Sequence, residues 1–346
     1  MSEQKFLPCT IMRGGTSRAL FFQDEHLPPP GPERERWLQL ALGSHDPHRI
    51  DGLAGKEVNT AKIAVVSRSS RAGVDVDYLV GLIARDRPEI HYQNICGNIL
   101  AAVGPYAIEA GWVKDPSRVR IFNVNEQIHL EAEVPVNAQG EVRVGGDYSM
   151  DGVAGTGAPI FLNFSRAIGT ELLPTGHVRE EINGIPVTIC HAGTLCVLVR
   201  AESVGVTARE TPAQLDENQD FLARAGKLHQ WVGERLGIVA PGQPNTTSSP
   251  FIVCVAPGED LNVRVVGLGR CHPALAASTA VNLGAACQLA GTVLPCPPRQ
   301  ELRLTHPTGA MIVTAQPSSL SPLRFERLGY YRTARKIMQG NLYLPL

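Results

Sequence analysis

At 346 residues and 43% hydrophobic content, the chain is long for one domain and can build two cores. A formal net charge of −1 gives no electrostatic footprint for nucleic acid or an anionic membrane. No apolar run reaches the ~18 residues that would span a bilayer, so neither partner is expected. Only 5% of the residues are aromatic, and 34 glycines with 26 prolines predict many short strands and tight turns.

Residues 5–12 alternate weakly and end at Gly14-Gly15, and Ala19-Leu20-Phe21-Phe22 resumes an apolar run. That predicts strand, glycine turn, strand. Pro28-Pro29-Pro30-Gly31-Pro32 is a stiff connector to a helix carrying Trp37, Leu38, Leu40, Ala41 and Leu42, stopped near Gly43. Ile63–Val66 and Val74–Val80 are strand candidates. From Gly97 to Gly111 the chain is small and apolar with almost no charge, which predicts a helix buried on all sides. Arg118–Phe122, Ile128–Val134 and Glu141–Val144 follow as strands.

A second lobe is expected from Ile182, opening with a strand pair over Val187–Arg200. Residues 211–236 carry Leu215, Phe221, Leu222, Ala225, Leu228, Trp231, Val232 and Leu236 at three- and four-residue spacing, the pattern of a helix. Residues 243–250 form a polar loop, Phe251–Ala256 and Leu261–Val266 read as strands, and Ala274–Leu289 as a second buried helix. Residues 301–315 hold one or two strands, and Leu342-Tyr343-Leu344 is an apolar run near the end.

Two segments echo each other. Pro8-Cys9-Thr10-Ile11-Met12-Arg13-Gly14-Gly15-Thr16 returns 178 residues later as Pro186-Val187-Thr188-Ile189-Cys190-His191-Ala192-Gly193-Thr194, alike at five of nine places. Cys96-x-x-x-Leu100-Ala101-Ala102 returns 175 residues later as Cys271-x-x-x-Leu275-Ala276-Ala277. The shared order and near-equal spacing point to a duplicated unit. It predicts an N-terminal lobe over 1–181, joined by 330–346, and a C-terminal lobe over 182–329. Chemistry is expected in the cleft between the lobes. A sheet wrapped around an apolar helix is the simplest way to bury a helix without a polar face.

The N-terminal Met1-Ser2-Glu3-Gln4-Lys5 lacks the apolar core of a secretory signal. The eight cysteines, Cys9, Cys96, Cys190, Cys196, Cys254, Cys271, Cys287 and Cys296, form no C-x-x-C and no zinc spacing with histidine. They read as reduced thiols of a cytoplasmic protein, most of them small core residues, and no metal site is expected.

Asn94-Ile95-Cys96-Gly97-Asn98 stands directly before the first buried helix. A thiol there meets the positive end of the helix dipole, and the same unpaired N–H groups suit a substrate carboxylate. Alone, Cys96 also reads as a small residue packed under a loop. Lys62 is the one charge beside the apolar strand Ile63-Ala64-Val65-Val66. It is either a partly desolvated amine able to take a proton or a strand-edge lysine reaching into water. Arg13-Gly14-Gly15-Thr16-Ser17 offers a guanidinium, a flexible turn and two hydroxyls, suited to carboxylate or phosphate, without the pattern of a P-loop or Rossmann turn. On this reading His272 precedes the second buried helix as the counterpart of Gly97. Cys271 mirrors Cys96, which opens the option of a two-thiol racemase.

Met12-Arg13-Gly14-Gly15-Thr16-Ser17, Ile50-Asp51-Gly52-Leu53-Ala54-Gly55, Cys96-Gly97-Asn98-Ile99-Leu100-Ala101-Ala102-Val103-Gly104, Leu172-Leu173-Pro174-Thr175-Gly176 and Cys271-His272-Pro273-Ala274 together resemble the PrpF family. That family includes 2-methylaconitate cis–trans isomerase and 4-oxalomesaconate tautomerase, and the resemblance covers essentially the whole chain. It implies an α+β, diaminopimelate epimerase-like fold of two pseudo-symmetric lobes, each a curved sheet or barrel around a central buried helix. It further implies no metal and no organic cofactor, a small unsaturated di- or tricarboxylate as substrate, and it leaves a homodimer open.

On the resemblance, Lys62 and Cys96 are the catalytic positions. Arg13, Gly15, Thr16, Ser17, Asn59, Thr60, Gly97, Asn98, Cys271, His272 and Ser278 are the substrate-binding ones. The chain departs from the family pattern at Arg18-Ala19 after Ser17 and at Ala61 before Lys62. It also lacks the second cysteine turn of the true epimerases at Cys271-His272-Pro273. A one-sided allylic proton shift therefore ranks above two-thiol epimerisation, with a non-catalytic carboxylate-binding accessory protein as the rival from another class.

Overall fold

A computed structural model describes residues 4–83, 88–92, 95–167, 172–258, 261–267 and 269–345; Met1, Ser2, Glu3 and Asn94, named above, lie outside these. The chain divides into two compact units, residues 1–162 with 332–346, and residues 163–331.

In the first unit β1 (Lys5–Gly14) turns through Gly15 into the antiparallel β2 (Ser17–Gln23). Gly15 has φ +50, a left-handed conformation that glycine adopts without steric cost. β2 runs parallel to β3 (Lys62–Arg68). A parallel pair needs a crossover, and α1 (Pro32–Leu42) supplies it, with Pro32 at its first turn and left-handed Gly43 closing its end. β3 pairs antiparallel with β4 (Val76–Ile83). β4 has the short antiparallel β5 (Ile90–His91) and the parallel β6 (Arg118–Asn123) as further partners. α2 (Gly97–Glu109) crosses between β5 and β6, and β7 (Ile128–Glu133) pairs antiparallel with β6.

The two helices take opposite faces of this sheet. Leu38, Ala41 and Leu42 of α1 pack with Leu20, Phe22, Ile63 and Val65. The alternate residue Phe21 stacks on Tyr106 of α2, ring centroids 5.4 Å apart. α2 is buried nearly all round, as its composition predicts. It stops two residues before left-handed Gly111.

After β8 (Tyr148–Ser149), β9 (Thr156–Gly157) and β10 (Ile160–Asn163), the second unit repeats the first. Following β11 (Glu180–Ile182), β12 (Ile185–His191) pairs antiparallel with β13 (Leu195–Arg200). β13 lies parallel to β14 (Phe251–Pro257), and β14 antiparallel to β15 (Leu261–Gly267). β15 takes the antiparallel β16 (Arg270–Cys271) and the parallel β17 (Glu301–His306). β18 (Gly309–Leu320) pairs antiparallel with β17 and with β19 (Leu323–Arg332). The crossovers are α3 (Pro212–Glu217) with α4 (Gln219–Arg235), and α5 (Ala277–Cys287). From β1 to β7 and from β12 to β18 the pairings come in the same order with the same sense. The chain returns through β20 (Ala334–Leu344), antiparallel to β1.

Three expectations change. The single helix over 211–236 is two, because Asn218 leaves helical geometry at ψ 89 and caps α4 by accepting from Phe221 N at 3.0 Å. The strand expected over Glu141–Val144 is one bridge, Val142 to Val136, since this exposed stretch has no longer partner. The register of the repeat also differs. His91 ending β5 and Cys271 ending β16 lie 180 residues apart, as do Gly97 and Ala277, the first residues of α2 and α5. The structural counterpart of Cys96 is therefore Ala276, and that of Cys271 is His91. Cys271 and His272 do not open the second helix: Cys271 ends a strand and His272 begins the irregular link that runs through Pro273 to Ala277.

All eleven residues of α5 are buried, including one amide. Asn282 accepts from Ala192 N at 2.8 Å and donates to Thr194 O at 3.0 Å, tying α5 to the β12–β13 turn. Asn282→Leu strands both backbone groups. It should destabilise the second unit by roughly 1–3 kcal/mol, read as a lowered urea midpoint with unchanged slope.

Candidate active site

The β1–β2 turn and the start of α2 are built against each other. A Cβ placed on Gly14 would lie 2.4 Å from the Asn98 carbonyl oxygen, and one on Gly15 would meet the Asn98 side-chain oxygen. Only glycine lets the turn approach this closely. The absent Gly14 Cβ points at α2, so Arg13, one residue earlier on the strand, leaves the opposite face. From there its guanidinium donates to Gly15 O at 3.0 Å and Thr333 O at 2.9 Å, while Gly15 N donates to Thr333 O at 2.9 Å. Arg13 thus pins the turn. Burial, then the facing charge of Arg335, lowers its pKa.

Cys96 is the half-buried N-cap residue of α2 and makes no side-chain cap. Its carbonyl accepts from Leu100 N at 2.9 Å and from the Tyr78 hydroxyl at 3.4 Å. The N–H groups of Gly97 and Asn98 are among the orphan donors that every helix start leaves, and among the described residues no side chain caps them. The buried Arg332 donates through Nε to Asn98 Oδ1 at 3.2 Å and fixes that side chain. Nothing in the sequence singles out Arg332, which lies 234 residues from Asn98. Ser17 is buried and Thr16 half-buried, and neither hydroxyl has a hydrogen-bond partner among the described residues.

Lys62 opens β3 with Ala19 and Leu82 as its flanking partners. Leu82 shares a face of β4 with Tyr78, whose hydroxyl reaches Cys96, so Lys62 lies on the α2 side of the sheet. Only 8% of Lys62 is exposed, and its amine donates to Val58 O at 2.5 Å with no carboxylate partner among the described residues. Asn59 links this segment to the turn: its carbonyl accepts from Arg18 N at 2.8 Å, and its amide donates to Thr16 O at 3.4 Å. Thr60 closes the preceding loop, its hydroxyl donating to Glu57 O at 3.1 Å. His91, half-buried and opposite Leu82, stands in the same cross-strand row as Lys62. No sequence pattern marks it.

The first unit therefore carries Gly15, Thr16, Ser17, Asn59, Thr60, Lys62, Cys96, Gly97 and Asn98 at the turn and its neighbours, while Arg13, expected to bind substrate, instead holds the turn from the opposite face. Cys271, His272 and Ser278 belong to the second. The Cys271 N–H donates to Asp216 Oδ1 at 2.7 Å. Burial, with the Asp216 charge adding to it, pushes the Cys271 thiol up to about 11, unsuited to a ready thiolate base. His272 Nδ1 accepts from Ala274 N at 3.1 Å. Ser278 is buried in the first turn of α5, the counterpart of Asn98. Among the described residues no three His, Cys, Asp or Glu side chains converge as a metal-ligand set, and no helix is long and apolar enough to cross a membrane.

Comparison with known proteins identifies the family and the fold. The (4E)-oxalomesaconate Delta-isomerase of Novosphingobium sp. (strain KA1) is 37% identical over 97% of this chain and 97% of its own length. A crystal structure of methylitaconate-delta-isomerase superposes with a TM-score of 0.85 at 31% identity, covering 99% of this chain and 97% of that one. A hydroxyproline epimerase from Agrobacterium vitis shares the fold alone, with a TM-score of 0.57 at 10% identity over 99% of this chain and 93% of the other. The PrpF protein family matches residues 4–345. On that match and those relatives, the chain is a PrpF-family isomerase with an α+β, epimerase-like fold.

Proposed function

We propose that the protein shifts a proton along the allylic system of a small unsaturated di- or tricarboxylate, with Lys62 as the proton carrier. The observation that carries this reading is a nearly buried amine without a carboxylate partner, at the same end of one unit as the uncapped start of α2. A substrate carboxylate accepts from the N–H groups of Gly97 and Asn98 and from the hydroxyls of Thr16 and Ser17. Removing the allylic proton sends charge into that carboxylate as a dienolate. Fixed donors stabilise this charge more than reorienting water would. Lys62 takes the proton at one allylic carbon and returns it at the other, on the same face. Cys96 lies alongside to place the substrate, and Arg332 holds Asn98 in position.

The names of the relatives, oxalomesaconate and methylitaconate isomerases, support this substrate class. Cys271 is not the structural counterpart of Cys96, which speaks against paired thiols. The described cysteines are all free, in keeping with a cytoplasmic setting.

Proton NMR in D₂O across a panel of unsaturated tricarboxylates tests the proposal. The expected result is migration of vinyl signals with deuterium entering allylic positions. Line broadening alone would leave a carboxylate-binding protein, and deuterium at the α-carbon of an amino or hydroxy acid would make it an epimerase. Cys96→Ser keeps the size and polarity of the site and should retain measurable turnover; complete loss would make the thiol an obligatory proton carrier.

A further inference from the structure

Cys287 is the last residue of α5, and Cys296 lies in the loop that follows, with their Sγ atoms 3.8 Å apart. The loop is held at its base. Gln288 Nε2 donates to Arg299 O at 2.7 Å, Val293 N donates to Thr188 Oγ1 at 3.1 Å, and Arg200 Nε donates to Val293 O at 2.5 Å. A disulfide would close this separation to ~2.05 Å.

The two sulfurs lie within hydrogen-bond distance, and either can be the donor. A protonated Cys287 would donate to Pro297 O, 3.3 Å away. An ionised Cys287 would accept from the Cys296 thiol. The hydrogen bond from Cys296, with Arg299 assisting against burial, brings Cys287 down to about 7 and drives Cys296 upward. Cys296 is partly exposed, which gives solvent a route to the pair. By contrast Cys190, Cys196 and Cys254 are sealed in the core, and burial raises all three.

We propose that Cys287 and Cys296 form an oxidisable dithiol that hydrogen peroxide converts to an internal disulfide, an oxidative modification site separate from the isomerase residues. The Cys287 thiolate attacks one peroxide oxygen: an S–O bond forms, the O–O bond breaks, and the departing hydroxide takes a proton to become water. Cys296 then attacks the sulfenic sulfur of Cys287. The S–S bond forms, the S–O bond breaks, and hydroxide leaves as water with the Cys296 proton. Two thiols lose two electrons together, and one peroxide becomes two waters. The product fastens the C-terminal end of α5 to its following loop.

The test uses the folded full-length chain and hydrogen peroxide at one equivalent, followed by denaturing alkylation and trypsin. Cleavage after Arg270 and Arg299 releases residues 271–299 as one peptide holding Cys271, Cys287 and Cys296. The expected peptide is lighter by two hydrogens, alkylated only at Cys271, and restored to three alkylated sites by dithiothreitol. The reaction should run about tenfold faster at neutral pH than oxidation of an ordinary thiol, from its larger thiolate fraction. In Cys296→Ser the two-hydrogen loss should vanish and Cys287 should be trapped by dimedone as sulfenic acid. Three equally alkylated cysteines after peroxide, a bridge to Cys271, or no dimedone adduct in Cys296→Ser would each overturn the proposal.

Discussion

Lys62→Met should lower turnover at least ~10²-fold while leaving the fold intact. Methionine follows the lysine stem and keeps the contacts of a side chain that is only 8% exposed, so the sheet loses little packing. Among the described residues the one bond lost is that to Val58 O, and Val58 is 57% exposed, so water replaces the donor at small cost. What disappears is the one lysine of β3. Lys62→Arg sharpens the test. It keeps a cation that can pair with a carboxylate, yet guanidinium does not give up its proton in proteins. Substrate affinity should therefore survive in the arginine variant while turnover stays as low as in Lys62→Met. Initial rates followed by NMR, with circular dichroism to check folding, decide it. Near-normal turnover in either variant would remove Lys62 from the mechanism.

Gly14→Ala should have the second largest effect, on stability and activity together. The added methyl would be 2.4 Å from the Asn98 carbonyl oxygen and 3.2 Å from Ala102 Cβ and Ile99 Cα. Two of these three atoms are helix backbone, so no side-chain rotation relieves the clash. The first turn of α2 has to move off the β1–β2 turn, at roughly 1–3 kcal/mol for overpacking. That same turn carries the Gly97 and Asn98 N–H groups assigned to the substrate, and a displacement of about 1 Å is worth ~10²-fold in rate. Gly226→Ala is the matched control. Gly226 lies within α4 with open space where its Cβ would stand, so alanine there should be neutral or mildly stabilising. Loss of activity in Gly14→Ala with an unchanged thermal midpoint would place the damage in the site alone. An unchanged rate would mean that the close approach of turn and helix has no catalytic purpose.

Local features of the chain were readable because their physics is local. A run of small apolar residues from Gly97 has no polar face to offer water, so it had to be a buried helix, and α2 is one. Gly14-Gly15 between apolar strands had to be a turn, and the repeated nonapeptide marked two hairpins built alike. Lys62 stood out as a single charge at the edge of an apolar strand, and the structure keeps it nearly buried.

Features that depend on how distant segments meet were not readable. β20 mixes charged, polar and apolar residues along Ala334–Leu344, since several of its side chains face solvent, and only its pairing with β1 makes it a strand. The cysteine echo suggested that Cys271 stands where Cys96 does. Residue identity carries no information about strand length, and the pairing of β16 with β15 ends at Cys271, five residues before the first cap of α5.

By itself, then, the sequence determined a duplicated unit, two buried helices and a glycine turn, because periodicity, volume and turn chemistry act over a few neighbours, while the α+β class and the pairing of Lys62 with Cys96 came from the family resemblance. Tertiary structure alone decided that Arg13 clamps the turn from behind, that Arg332 holds Asn98, and that the second buried helix repeats the first at an offset of 180. Each of these is fixed by strand register and by contacts between residues far apart along the chain, whose geometry no local pattern encodes.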